Sequence, residues 1–249
     1  MGQPDGRHLV LDGVTATRGS FVLGPIDIVL PFGKITAVVG ANGAGKTTLA
    51  RVLLGQIPMR EGRIVLNDRP VLPSQMEWRA TVGFLPDDPE ELLAECTAEE
   101  LWQLSIGAHV LCYPREARPE AKRKMLARAH ELAEILHFQA PPSKPIAYFS
   151  LGMRKKTQLI AALATMPEIV LLDEPRNGLD PIGMAQTHRL LLDLAAEGKL
   201  VIVSTHDLSW AMKHSQQIIA ISLGRVTLKS DTEDVIRKGG EDYLLELLR

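Results

Sequence analysis

Gly40-Ala41-Asn42-Gly43-Ala44-Gly45-Lys46-Thr47 decides the fold. It fills every required position of the phosphate-binding loop G-x-x-x-x-G-K-[ST]. The glycines let the backbone turn so that its N–H groups converge on a β-phosphate, and a following helix adds the positive end of its dipole. Lys46 supplies a cation between the outer phosphates, Thr47 a hydroxyl for Mg²⁺, and Thr48 a further donor. The context fits on both sides. Ile35 to Val39 is a short β-rich run ending at Gly40, and Leu49, Val52 and Leu53 recur at helical spacing before Gly55. Strand, loop and helix in that order distinguish the motif from a chance glycine-rich turn and predict a nucleoside triphosphate as ligand.

Outward from this loop, residues 8–30 read as two strands around Thr17-Arg18-Gly19-Ser20, with Leu9/Leu11 and Ile26/Ile28 alternating. Gly62 to Leu66 and Thr81 to Leu85 read as further strands. After Pro86 the texture becomes helical: Glu91 to Ala108, then Pro119 to Phe138, where Met125, Ala129, Leu132 and Leu136 share one face. A third helix follows Pro141-Pro142 and Pro145, from about Leu151 to Met166. Sheet texture then returns. Ile169 to Leu172 and Leu200 to Val203 are continuous apolar runs, as expected of buried parallel strands, with a helix from about Met184 to Ala196 between them. Gln217 to Lys229 reads as a hairpin around Gly224, and a short amphipathic helix ends the chain. The expectation is a single α/β cassette over 1–249, with its core in 1–87 and 166–249 and a helical insert in 88–165.

Two more strand ends carry chemistry. Ile169 to Leu172 delivers Asp173 and Glu174, the first able to hold Mg²⁺ through water and the second able to take a proton from an attacking water. Acidic strand ends are common, and the pair gains meaning from the upstream loop, because parallel strand ends meet at one crevice. Ser204-Thr205-His206 follows the next apolar strand and puts an imidazole at the same edge, within reach of a γ-phosphate.

Composition bounds the rest. A chain of 249 residues that is 45% hydrophobic can bury a sizeable core, which excludes disorder and a disulfide-stapled mini-fold. With 28 Lys+Arg against 30 Asp+Glu, the net charge of −2 argues against a nucleic-acid partner. Cys96 and Cys112, without His or Cys at ligand spacing, point to a reducing compartment and no zinc site. No apolar leader, myristoylation motif or membrane-spanning run is legible, so a cytoplasmic protein is expected. The basic residues Arg115, Arg118, Lys122, Arg123, Lys124 and Arg128 read as a solvated helix face, the alternative being a docking surface for a membrane partner or acidic lipid.

Phe149-Ser150-Leu151-Gly152-Met153 sits where the signature Leu-Ser-Gly-Gly-Gln of one family is expected, and Asn177-Gly178-Leu179-Asp180-Pro181 is similar to its D-loop. On these motifs the chain resembles, over nearly its whole length, the ATP-binding subunit of an ABC transporter. P-loop kinases and GTPases do not combine these features. The resemblance implies a P-loop NTPase (RecA-like) core with an antiparallel β subdomain and an inserted α-helical subdomain. It implies ATP and Mg²⁺ as ligands, and a head-to-tail dimer in which Ser150, Gly152 and Asp180 face the ATP of a second copy. It also implies a separate transmembrane permease, contacted by the helical insert and Q-loop, and hence a peripheral place at the cytoplasmic face of the membrane. Ser150 reads as a helix N-cap as well, and a Ser-led helix start suits an anion.

Four departures from the family pattern shape the expectation. Ser-Leu-Gly-Met in the signature resembles subunits of drug, bacteriocin and polymer exporters. Asp87, within Gly83-Phe84-Leu85-Pro86-Asp87-Asp88-Pro89, replaces the Q-loop glutamine and offers Mg²⁺ a charged acceptor, the alternative being a helix cap before Pro89. The adenine-stacking aromatic falls near Thr17 or Arg18, so Arg18 or Phe21 is expected to take its place. Arg176 stands where a smaller polar residue is frequent. The function expected is ATP binding and hydrolysis energising a separate permease, with export favoured also by the short stretch after His206. An importer ATPase, and a soluble or degenerate cassette that binds ATP without driving transport, are the alternatives.

Overall fold

The computed structural model describes residues 6–87 and 94–248. They fall into two compact units, one drawn from Met1–Arg79 with Leu191–Arg249 and the other from Ala80–Leu190.

The first unit opens with β1 (His8–Arg18) and β2 (Phe21–Pro31), an antiparallel pair turning at Gly19-Ser20. Alternation sets the faces: Leu9, Leu11, Ile26, Ile28 and Leu30 are buried, whereas Val22 and Val29 point to solvent. β3 (Ile35–Val39) is buried at all five positions, as befits a strand covered on both faces. α1 (Lys46–Leu53) follows the glycine-rich loop. β4 (Met59–Leu66) then pairs antiparallel with β1, and β5 (Arg69–Val71) extends that sheet, giving the order β2-β1-β4-β5. α2 (Met76–Thr81) anchors Trp78, whose buried Nε1 donates to the Leu53 carbonyl at 2.6 Å.

In the second unit, β6 (Val82–Leu85) precedes three helices: α3 (Ala98–His109), α4 (Arg118–Ile135) and α5 (Leu151–Ala164). The helical run expected from Glu91 begins later. Residues 91–93 lie outside the described residues, residues 94–96 form turns, and the helix starts at Ala98. A capping box sets that start: Thr97 Oγ1 accepts from Glu100 N at 3.3 Å, while Glu100 Oε2 accepts from Thr97 N at 2.8 Å. Met125, Ala129, Leu132 and Leu136 are fully buried, as their spacing predicts. Trp102 joins the helices; its Nε1 donates to the Thr157 carbonyl at 3.1 Å, and its ring meets Phe138 edge-on at 5.6 Å. The basic face of α4 is partly offset locally, with Arg123 and Lys124 sharing Glu120 and Arg128 paired to Glu131. β7 (Ile169–Asp173) pairs parallel with β6, and the N-terminal part of α6 (Pro181–Ala196) completes the unit.

The chain then returns to the first unit. β8 (Leu200–Thr205) lies parallel to β3. α7 (Leu208–His214) follows, capped by Asp207, whose Oδ1 accepts from Trp210 N at 2.8 Å. β9 (Gln217–Ser222) pairs parallel with β3 on its other side and forms a hairpin with β10 (Arg225–Asp231). α8 (Thr232–Arg237) and α9 (Glu241–Leu248) close the chain; α9 packs on β9 and buries Leu244, as its amphipathic pattern predicts. No helix among the described residues is long and apolar enough to cross a membrane.

Candidate nucleotide site

In the first unit, β3 and β8 run in parallel register with Val39 opposite Thr205, so Gly40 and His206 leave the sheet at the same edge. The loop between β3 and α1 turns at Gly45, with φ +116°; a Cβ there would meet Phe21 Cζ at 3.0 Å and Leu23 Cδ1 at 3.1 Å. Only glycine fits both conditions. Lys46 is 7% exposed, and its Nζ donates to the carbonyls of Gly40 at 2.7 Å and Ala41 at 3.2 Å. The cation is thus held inside the curl of its own loop. Ala41, Asn42 and Gly43 are exposed, Gly40, Ala44 and Thr48 are buried, and Thr47 is half-buried. The first turn of α1 carries no acidic residue, leaving its positive end uncompensated for an anion. Gly224 N braces the loop through the Ala44 carbonyl at 2.9 Å. An enclosed cation, an open strip of backbone and a free helix end fit a triphosphate.

Arg18 ends β1, exposed, opposite Phe21. Phe21 instead packs its ring edge toward Gly45 and Gly224, at 3.0 and 3.2 Å from where their Cβ atoms would be. The nearest aromatic ring therefore touches the phosphate-binding loop itself. His206 is exposed at the end of β8.

In the second unit, β6 and β7 run parallel with Leu85 opposite Leu172, so Pro86-Asp87 and Asp173-Glu174 emerge side by side. Asp173 is 3% exposed and Glu174 8%. Glu174 adopts φ +45°, a left-handed backbone that a glutamate holds only where the surroundings enforce it. Asp87 is exposed, and its Oδ1 accepts from Asn177 Nδ2 at 2.9 Å.

The signature residues gather around the start of α5. Ser150 is its N-cap, with Oγ accepting from Met153 N at 3.2 Å. Asp180 plays the same part for α6, its Oδ1 accepting from Gly183 N at 2.7 Å. Ser150, Gly152, Met153, Lys156, Gly178 and Asp180 line one cavity of about 410 Å³. Three contacts lie outside what the motifs indicate: the bond from Asn177 of the D-loop segment to Asp87, the cap that Asp207 makes beside His206, and the burial of Lys155 beneath Asp87 and Asp173. Lys155 leaves a trace in the sequence, since it falls on the same helical stripe as Leu159 and Ala162.

Comparison with known proteins shows the family and the fold. A sequence profile of the ABC transporter family matches residues 23–177. The energy-coupling factor transporter ATP-binding protein EcfA of Carboxydothermus hydrogenoformans is 32% identical over 214 residues, 86% of this chain and 76% of the relative. The daunorubicin resistance ATP-binding protein DrrA3 of Streptomyces coeruleorubidus is 30% identical over 246 residues, 97% of this chain and 73% of the relative. Among solved structures, an ATP-binding subunit of an ABC transporter superposes with a TM-score of 0.84 at 24% identity, covering 97% of this chain and 100% of the other, which shows the fold. The chain belongs to the ABC transporter family, as an α/β ATPase cassette that binds and hydrolyses ATP with Mg²⁺.

Proposed function

We propose that this cassette drives export through a separate membrane permease. The observation that carries this reading is the similarity to the daunorubicin resistance protein DrrA3, which extends over 97% of the chain and includes the region of the Ser-Leu-Gly-Met signature. In this reading Lys46 and the backbone of residues 40–45 hold the phosphates, and Thr48 adds a donor. By their motifs, Thr47 and Asp173 supply oxygens to Mg²⁺, and Asp87 takes the role of the Q-loop residue. Glu174 takes the proton of the attacking water, His206 contacts the γ-phosphate, and Arg18 covers the base. Ser150, Gly152 and Asp180 complete the site of a second copy in a head-to-tail dimer. The motifs support these roles; the N-cap at Ser150 adds an anion-favouring helix start on α5. ATP closes the dimer, and hydrolysis with product release reopens it, a two-state motion that performs work on a permease at the inner face of the membrane.

A second reading is import within an energy-coupling factor complex, favoured by the 32% identity to EcfA. Purification of the tagged chain from detergent-solubilised membranes, followed by identification of its integral membrane partner, separates the two. Export predicts that loss of the chain makes cells retain a compound that the intact system expels in an ATP-dependent way. Recovery with a separate substrate-capturing membrane subunit and loss of uptake would favour import.

A further inference from the structure

We propose that Lys155 is a positioning residue of the ATPase site, its buried ammonium joining the ends of β6 and β7 and balancing the carboxylate of Asp87. The inference rests on the reading above that Asp87 and Asp173 belong to that site. Lys155 lies on α5, five residues after its N-cap Ser150, and is 1% exposed. Lysine is among the residues least often buried completely, because its charge must be compensated inside the protein. Here its Nζ donates to the carbonyls of Pro86 at 2.9 Å, Asp87 at 3.0 Å and Asp173 at 3.4 Å. An ammonium has three N–H donors, and three carbonyls from two strand ends converge on it. Oδ1 of Asp87 stands 3.9 Å from the same nitrogen, beyond a hydrogen bond and within reach of a charge–charge attraction that the half-exposed carboxylate shares with solvent.

The surroundings of Asp87 complete the arrangement. Asn177 Nδ2 donates to the same Oδ1 at 2.9 Å, so the carboxylate is held from the 177–180 loop while its main chain is held from α5. A charged residue stands at position 87, where the resemblance implies the glutamine of the Q-loop, and a buried cation lies beneath it. Lys155 thereby fixes the spacing between Asp87 and Asp173, and ties both to the helix that begins at Ser150. A shift of α5 moves the strand ends with it. Lys155 touches no reacting atom in this account; it acts through the groups it holds.

The test compares wild type, Lys155→Gln, Asp87→Gln and the double substitution, with Lys155→Arg as the charge-preserving variant. Lys155→Gln is expected to lower kcat about tenfold while the ATP KM, set by the phosphate-binding loop, stays within about threefold. The double substitution should recover to within about threefold of Asp87→Gln alone, because it removes a carboxylate whose partner ammonium is gone; it should melt slightly above Lys155→Gln, the gain being small because Asp87 is half exposed. Lys155→Arg should keep more activity than Lys155→Gln. A Lys155→Gln kcat within twofold of wild type overturns the proposal, as does a double variant that improves on Lys155→Gln in neither rate nor melting. If Lys155→Gln does not fold, restored folding in the double variant supports the pairing and its absence overturns it. A wild-type protein that binds ATP without turnover would instead remove the hydrolytic reading, while the melting comparison still decides whether Lys155 and Asp87 are coupled.

Discussion

Gly152 and Gly178 meet backbone to backbone: a Cβ on Gly152 would lie 2.8 Å from the carbonyl oxygen of Gly178. Leu151 occupies the space that a side chain on Gly178 would need, and Gly178 itself has φ +79°. The first turn of α5 and the loop before α6 therefore share one spacing. Gly152→Ala and Gly178→Ala should each reduce ATP turnover about tenfold or more, while nucleotide affinity stays within about threefold. Phosphate release measured beside a fluorescent-nucleotide titration checks this. Unchanged turnover in Gly152→Ala would mean that the close approach has slack.

Lys46→Ala removes the cation enclosed by the Gly40 and Ala41 carbonyls. Charge-assisted hydrogen bonds to phosphate contribute about 1.5–3 kcal/mol, so ATP affinity should fall at least about tenfold. Lys46→Arg should fail as well, because a planar guanidinium does not fit the compact, buried position of the ammonium. Calorimetric titration with ATP and Mg²⁺ reads both variants.

Arg18 and Phe21 make separable predictions. Arg18→Ala should weaken ATP binding by a few-fold to about thirtyfold and spare inorganic triphosphate, since stacking on a base contributes roughly 0.5–2 kcal/mol. Phe21→Ala should weaken both ligands, because its ring packs against Gly45 of the loop that holds the phosphates. It should also lower stability by about 1–3 kcal/mol through lost packing of a half-buried ring. Equal ATP affinity in wild type and Arg18→Ala would take Arg18 out of the site.

His109 makes the second unit acid-sensitive. Burial lowers its pKa below the ordinary value of 6.5. The unfolded chain therefore binds the proton first as pH falls, and stability declines from about pH 6.5 toward the depressed folded value. Above that window both states are neutral at this residue and it adds no pH dependence. His109→Gln should flatten the fall in melting temperature between pH 7 and the acid side of about 6.5. A parallel curve for the variant would assign the acid loss to other groups.

The elements that were legible in the sequence are those with local causes. Glycine spacing marks the phosphate-binding loop, and continuous apolar runs mark β3, β7 and β8, each buried throughout. The strand and the helix that the motif requires stand on either side of the loop, β3 before it and α1 after it. The start of α3 was less legible, because Glu91-Leu92-Leu93-Ala94 continues a helical texture; the decisive signal is Thr97 with Glu100 three residues later. The bond between Asn177 and Asp87 spans 90 residues of sequence, and Lys155 reaches its carbonyls across 68 and 69. Nothing local announces such contacts. A lysine in a helix reads as solvated until the strand ends it serves are seen beside it.

Glu174→Gln tests the central claim most directly. Glu174 is buried and held in a left-handed backbone immediately after β7, and the substitution keeps its shape while removing its capacity to take a proton. Phosphate release and sedimentation should be measured on the same samples with ATP and Mg²⁺. The account predicts hydrolysis slowed by roughly 10² to 10⁴, the usual contribution of a general base, with ATP still bound and a dimer that forms only when ATP is present. Wild-type turnover, or sedimentation that ignores ATP, would contradict it.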